Sequence, residues 1–140
     1  MIFLDTSVLI ATAQINHERH VASRELWNRC ALDLASVSTY AISDLYSTLT
    51  AMPPTLRLAP RNALLVLETY LQRLTPVTLT AEEYVETLRA TANLGLSGAA
   101  VYDALHLACA RKIGAKQIYT WNPRHFKRIA PDLAERIVTP

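Results

Sequence analysis

Four residues with oxygen-bearing side chains fall where the surrounding sequence is otherwise apolar. Asp5 closes the run Ile2-Phe3-Leu4, and Asp44 sits between Ala41-Ile42 and Leu45-Tyr46. Asp103 lies in a stretch dominated by Val101, Ala104, Leu105, Leu107 and Ala108, and Asn122 follows Gln117-Ile118-Tyr119-Thr120. Each has a plain use when taken alone. Asp5 can end a strand, Asp103 can answer the dipole of a helix N-terminus, Asp44 can face solvent, and Asn122-Pro123 is a standard turn pair. Taken together, the plain uses leave one thing unexplained: each of the most apolar segments carries one acid or amide near the same predicted edge. A carboxylate beside apolar surface is costly unless a cation or hydrogen bonds compensate it.

The elements that must position these residues can be read from periodicity and end signals. Ile2–Leu4 is a short buried strand, followed by a helix from about Val8 to Gln14 that Thr6 or Ser7 can cap. A second helix, about His17 to Ala31, places Val21, Ala22, Leu26 and Cys30 on one face. Leu34–Val37 is the next strand, and Ser38 or Thr39 opens a helix that Pro53-Pro54 stops near Met52. Pro60 suits a helix first turn, and Leu64, Leu67, Leu71 and Leu74 recur at helical spacing. Val77–Leu79 reads as a third strand. Thr80 with Glu83 then forms a capping box for a helix to about Leu94. After Gly95-Leu96-Ser97-Gly98 comes a helix from about Val101 to Ile113, closed by Gly114. Gln117–Thr120 is a fourth strand, followed by a polar stretch, a short helix near Asp132–Arg136 and a last strand at Ile137-Val138.

Short apolar strands alternating with helices predict an α/β fold: a parallel sheet of four to five strands with helices on both faces. Ligands of such sheets bind beyond the carboxyl ends of the strands. Strand ends and helix first turns share that edge, so Asp5, Asp103 and Asn122 can converge there. Asp44 must reach the same edge from mid-helix, and spacing alone does not settle whether it does.

Composition bounds the rest. The chain has 140 residues, 51% of them hydrophobic, which suits one domain spanning 1–140 with one buried core. A net charge of +2 permits nucleic-acid binding without arguing for it. Cys30 and Cys109 fall in helical patterns with no zinc spacing and read as reduced core thiols. The opening Met1–Asp5 lacks the basic region of a signal peptide and no apolar run reaches the roughly 18–20 residues of a membrane span, so a cytoplasmic protein is expected. Other chemistries fail on detail. Gly95-Leu96-Ser97-Gly98-Ala99 lacks the last glycine and the strand of a nucleophile elbow. His17-Glu18-Arg19-His20 has its histidines three apart, the wrong spacing for a zincin. His106 reads as a hydrogen-bonded core histidine.

The ordered set of segments resembles a family. Phe3-Leu4-Asp5-Thr6-Ser7-Val8-Leu9, then Ser38–Leu49 with its acid at 44, then Tyr102-Asp103-Ala104-Leu105-His106-Leu107-Ala108, then Tyr119-Thr120-Trp121-Asn122-Pro123-Arg124-His125-Phe126 are similar to the successive motifs of PIN-domain nucleases. The chain most resembles the VapC-type toxins of toxin–antitoxin pairs, from Ile2 to about Ile137. The resemblance implies a three-layer α/β/α fold and an endoribonuclease acting on structured or loop RNA such as tRNA or rRNA. Asp5 and Asp103 are implied as direct ligands of Mg²⁺, with Mn²⁺ as the other candidate ion. Asp44 takes the position of a helical acid that orients a metal-bound water, and Asn122 takes the fourth position. Two departures stand out. The second acid is usually Glu, and the fourth position is often Asp. With at most three carboxylates, a second metal ion is weakened more than a first.

The same resemblance implies an RNA groove walled by Arg124, His125, Lys127 and Arg128, with Arg57 and Arg61 as further cations, which would contact phosphate without reading sequence. Trp121 is either a base-stacking residue or a core residue. A small VapB-like antitoxin filling the groove and a homodimer are the implied partners. Two readings compete with cleavage of RNA. One is a PIN-like domain that binds RNA or protein with an eroded site, and the other is a metal-dependent nuclease acting on DNA.

Overall fold

The computed structural model describes residues 1–30 and 34–140. Its elements run β1 (Ile2–Leu4), α1 (Thr6–Ala13), α2 (His20–Arg29), β2 (Ala35–Ser38), α3 (Thr39–Ala51), α4 (Pro60–Leu71), β3 (Leu74–Val77), α5 (Ala81–Asn93), α6 (Ala100–Lys112), β4 (Gln117–Tyr119), α7 (Pro123–Ile129), a 3₁₀ turn (Pro131–Arg136) and β5 (Ile137–Val138). The five strands form one sheet in the order β3-β2-β1-β4-β5, and every pairing is parallel. Successive residues of a strand point to opposite faces, and β1 shows what that does. Phe3 joins a cluster with Leu107, Ile118, Phe126 and Ile137, whereas Leu4 joins one with Val8, Val37, Leu45, Leu49 and Tyr70. Helices α1–α4 therefore cover one face, α5–α7 cover the other, and the fold is a three-layer α/β/α sandwich.

From β1 the chain moves outward through β2 to the edge strand β3. It then returns through α5 and α6 to place β4 on the other side of β1. The direction of winding reverses between β1 and β4, and a crevice opens there beyond the strands' carboxyl ends. Asp5 and Thr120–Asn122 emerge at that crevice.

Several expectations are corrected. The third strand lies at Leu74–Val77, three residues earlier than Val77–Leu79. It contains Pro76, opposite Val37, which an edge strand tolerates because one side of its backbone needs no partner. Leu74 is thus a strand residue and not the last turn of a helix, and Leu64 is exposed on α4. Helix α2 starts at His20, not His17, and Val21 points to solvent while Ser23, Leu26 and Trp27 are buried. The expected end of that helix at Ala31 lies outside the described residues. The polar stretch after β4 is a helix, α7, whose Phe126 is fully buried. The Thr80–Glu83 capping box is present as expected, and Gly114 ends α6 with φ 61°.

Candidate active site

Asp5 stands at the N-cap of α1, one residue past β1, yet its side chain caps nothing in the helix. Its Oδ2 instead accepts hydrogen bonds from Ser7 Oγ at 2.6 Å and Thr120 Oγ1 at 2.9 Å. Each hydroxyl is itself supplied by backbone: Trp121 N–H donates to Ser7 Oγ at 3.0 Å, and Asn122 N–H donates to Thr120 Oγ1 at 3.0 Å. The loop that leaves β4 thus feeds its amide protons through two hydroxyls into one carboxylate. Asp5 is only 5% exposed, so these donors replace the water it has lost.

On the other oxygen, His106 Nε2 lies 3.6 Å from Asp5 Oδ1, and its Nδ1 lies 2.8 Å from Ser38 Oγ. With Ser38 donating to Nδ1, the Nε2 proton faces Asp5 and Thr6, and both ring nitrogens of the buried imidazole have partners. His106 is thus the hydrogen-bonded buried histidine its helical setting predicts, and it also touches the site. Asp103, in the first turn of α6, pairs through Oδ2 with His125 Nδ1 at 2.5 Å. Burial pushes the Asp103 carboxyl above its ordinary pKa; the His125 hydrogen bond opposes this and the nearby charge of Asp5 adds to it.

One cavity of about 300 Å³ is lined by Asp5, Asp44, Asp103, Asn122, His106 and His125, together with Tyr40 and Tyr102. All four sequence-predicted site residues therefore meet, including Asp44, which α3 carries to the edge from its second turn. Asn122 precedes α7 with an exposed side chain that makes no capping bond.

A second cavity of about 320 Å³ adjoins the first, sharing Asn122 and His125 and adding Arg124, Arg128 and Trp121. Of the four residues expected to wall an RNA groove, Arg124 and Arg128 line it and Lys127 is exposed outside its lining. His125 lines both cavities, and its Nδ1 also pairs with Asp103 Oδ2. Arg57 and Arg61 line neither cavity. Arg57 donates to the Met52 carbonyl, and Arg61 borders a groove on α4 beside Tyr46. Trp121 is pinned, its Nε1 donating to Ser23 Oγ at 2.9 Å and the Arg19 guanidinium lying 4.9 Å from its ring centre. Ser7, Ser38, Thr120, Tyr40 and Tyr102 were missed. Ser7 lies two residues after Asp5 and Thr120 two residues before Asn122, the one signal in the sequence that points to them.

The profile of the PIN domain family matches residues 2–131. The chain belongs to the PIN domain family. It is 36% identical over 103 residues to ribonuclease VapC27 of Mycobacterium tuberculosis, covering 73% of this chain and 71% of that one. Ribonuclease VapC40 of the same species is 35% identical over 119 residues, 83% of each chain. Among solved structures, VapC20 of M. tuberculosis, described as a sarcin–ricin loop cleaving toxin, superposes with TM-score 0.73 at 19% identity over 89% of this chain and 92% of its own. VapBC2 of Rickettsia felis, bound to a DNA fragment from its promoter, gives 0.66 at 19% identity over 99% and 98%. These last two likenesses bear on the fold, and the sequence relatives place the chain with the VapC-type PIN ribonucleases.

The donor set of this PIN site suits a hard divalent cation. Asp5 and Asp103 present carboxylate oxygens to one cavity, and their mutual repulsion is the cost a bound cation removes. Among the described residues no three His, Cys, Asp or Glu side chains are arranged to hold a metal ion. Asp5 and Asp103 would form a pair of ligands rather than a cage, which fits an ion such as Mg²⁺ that keeps several of its waters.

Proposed function

We propose that this chain is a metal-dependent endoribonuclease toxin that cuts loop or unpaired segments of structured RNA, such as tRNA or rRNA, and that a small antitoxin holds it inactive. The observation that carries the reading is the meeting of Asp5 and Asp103 in one cavity at the sheet's switch point, with Asp44 and Asn122 on its walls. Asp5 and Asp103 would hold Mg²⁺, or Mn²⁺ in its place. The bound ion supplies a water of lowered pKa and positive charge against the phosphoryl oxygens.

The chain's own residues do the rest. Ser7 and Thr120 fix the rotamer of Asp5, and His125 fixes that of Asp103, so neither carboxylate must reorganise when substrate enters. Asp44 accepts a hydrogen bond from the attacking water and turns its lone pair toward phosphorus. The Asn122 amide donates to a phosphate oxygen. Arg124 and Arg128 bind the flanking phosphates along the adjoining cavity and fix register without reading sequence. Lys127, exposed nearby, adds to the attraction of the backbone at longer range.

The antitoxin is proposed to cover part of the α3–α4 surface, where Tyr46, Leu64 and Leu65 are exposed around a groove of about 650 Å³. A homodimer and a cytoplasmic setting belong to the same proposal. Among the described residues no helix is long and apolar enough to cross a membrane.

A second reading has one observation in its favour: Asp44 stands where the family usually has Glu and Asn122 where it often has Asp, and a site altered in this way can bind RNA without cleaving it. One experiment separates the two. Purified antitoxin-free protein is incubated with a panel of structured RNAs and matched DNA, with Mg²⁺, with Mn²⁺ and with chelator, beside Asp5→Ala and Asp103→Ala. RNA cuts that need both ion and acids establish the ribonuclease. Intact RNA from folded protein under both ions establishes the non-cleaving domain, and cuts in DNA alone redirect the assignment.

A further inference from the structure

The starts of α3 and α6 carry to the candidate cavity an aromatic stack that the chemistry described above does not use. Tyr40, near the start of α3, and Tyr102, near the start of α6, lie with ring centres 4.8 Å apart and planes within 4° of parallel. Behind Tyr40 the stack is closed, because the edge of His106 meets its ring at 5.6 Å and 63°. His106 is itself fixed by Ser38 and faces Asp5, so the closed end of the stack is tied to the buried metal ligand. At the other end Tyr102 is 45% exposed, and among the described residues its aromatic partner is Tyr40 alone. A graded stack that is rigid at its base and open at its end presents a π-face to whatever enters the cavity.

We propose that Tyr102, backed by Tyr40, is a stacking platform for one unpaired nucleobase next to the scissile phosphate. This rests on the nuclease reading above. Three observations support it. Tyr40 and Tyr102 line the same cavity as the acids, and Tyr102 precedes Asp103 in the first turn of α6, so a base on its ring is within a nucleotide's reach of the carboxylates. The cationic cavity of Arg124 and Arg128 joins the first through Asn122 and His125. A strand following this route lays its phosphates on α7, crosses the acids, and delivers the next base to the tyrosines. Finally, the aromatic residue that the sequence offers for stacking, Trp121, has one face under Arg19 and its indole nitrogen engaged by Ser23, which leaves the role to Tyr102.

Stacking accepts any base and selects for one that is unpaired, because a base inside a duplex has no free face. The platform would therefore confine cleavage to loops and single strands. The test uses short single-stranded RNAs that carry 2-aminopurine at one position at a time, bound with Mg²⁺ to protein made non-cleaving by Asp5→Ala. In that background Tyr102 is left native or changed to Phe, Trp or Ala. The same Tyr102 changes in the wild-type background are assayed for cleavage of the unlabelled RNAs.

The expected result is quenching of one 2-aminopurine position by Tyr, Phe and Trp and its loss with Ala. Binding should weaken with Ala by about 5- to 150-fold, the equivalent of one base stack, with KM rising and the melting temperature unchanged. Equal affinity, equal KM and unaltered quenching in the Ala variant would overturn the platform while wild-type cleavage leaves the nuclease standing. Absence of RNA binding and cleavage by the wild-type protein would overturn both.

Discussion

Thr120 donates a hydrogen bond to Asp5 at 2.9 Å across 115 residues of chain, and through it the last parallel strand before α7 controls the first acid of the site. Thr120 is fully buried, and its hydroxyl receives the Asn122 amide on one side and serves the carboxylate on the other. Valine fills the same volume without the hydroxyl. Thr120→Val should therefore fold but lower metal-dependent cleavage by about 10- to 100-fold, the usual effect of removing a partner that orients a metal ligand. Thr120→Ser should retain most of the activity. Titrating cleavage rate against Mg²⁺ checks this, and a change confined to the apparent metal affinity is the expected signature.

If Asp5 is a metal ligand, its buried charge should cost stability while no ion is bound. Its carboxylate is buried beside a second carboxylate whose proton affinity it raises. Asp5→Asn keeps the shape and the acceptor oxygen toward Ser7 and Thr120 but removes the charge. The variant should lose cleavage and gain about 0.5–2 kcal/mol of stability in chelator, in the pattern of sites that trade stability for activity. Denaturant unfolding with chelator and with Mg²⁺ would show it, and the ion should stabilise the wild type more than the variant. A loss of stability in chelator would mean that Asp5 serves the fold rather than the metal.

Much of this site was legible because its parts obey strong local rules. Asp5 follows an apolar run, Asp103 falls in a helix first turn, and in a parallel sheet both positions share the carboxyl edge. The α/β class followed from alternation, and the five-strand sheet carries helices on both faces as expected. What the sequence hid was set by long-range pairing. His125 reads as one more cation in a basic run, and only the seating of α7 turns its ring onto Asp103. That helix was itself obscured, because Asn122-Pro123 is as good a turn as a helix start and seven residues give little periodicity. Pro76 masks the third strand in the sequence, since a proline argues against a strand until the strand is known to be an edge.

Phe126 anchors α7 to the sheet. Its ring is fully buried in the cluster with Phe3, Ile118 and Ile137, one position from His125. Phe126→Ala should cost about 3–5 kcal/mol, the combined transfer and cavity terms for a buried ring. It should also loosen His125 and Arg124 from their cavities, so activity should fall at temperatures well below the lowered melting point. Thermal unfolding with parallel cleavage assays would reveal that order. Loss of activity only at unfolding would mean that α7 keeps its place without the ring.

The two arginines of the second cavity make a claim about phosphate contacts that salt can count. Arg124 and Arg128 are exposed, line the cavity that adjoins the acids, and form no ion pair among the described residues. Each phosphate they neutralise on a single strand releases condensed counterions, worth about 0.7 in the slope of log K against log salt. In the non-cleaving Asp5→Ala background, Arg124→Ala and Arg128→Ala should each lower that slope by about 0.7, and together by about 1.4. The weakening should be the same for every RNA sequence, because these contacts fix position and carry no base information. Lys127→Ala, outside the cavity lining, should move the slope less. Fluorescence anisotropy on one single-stranded RNA across a range of salt concentrations measures all three. An unchanged slope in the double variant would place the strand on another face, and with it would go the route that leads from α7 over Asp5 and Asp103.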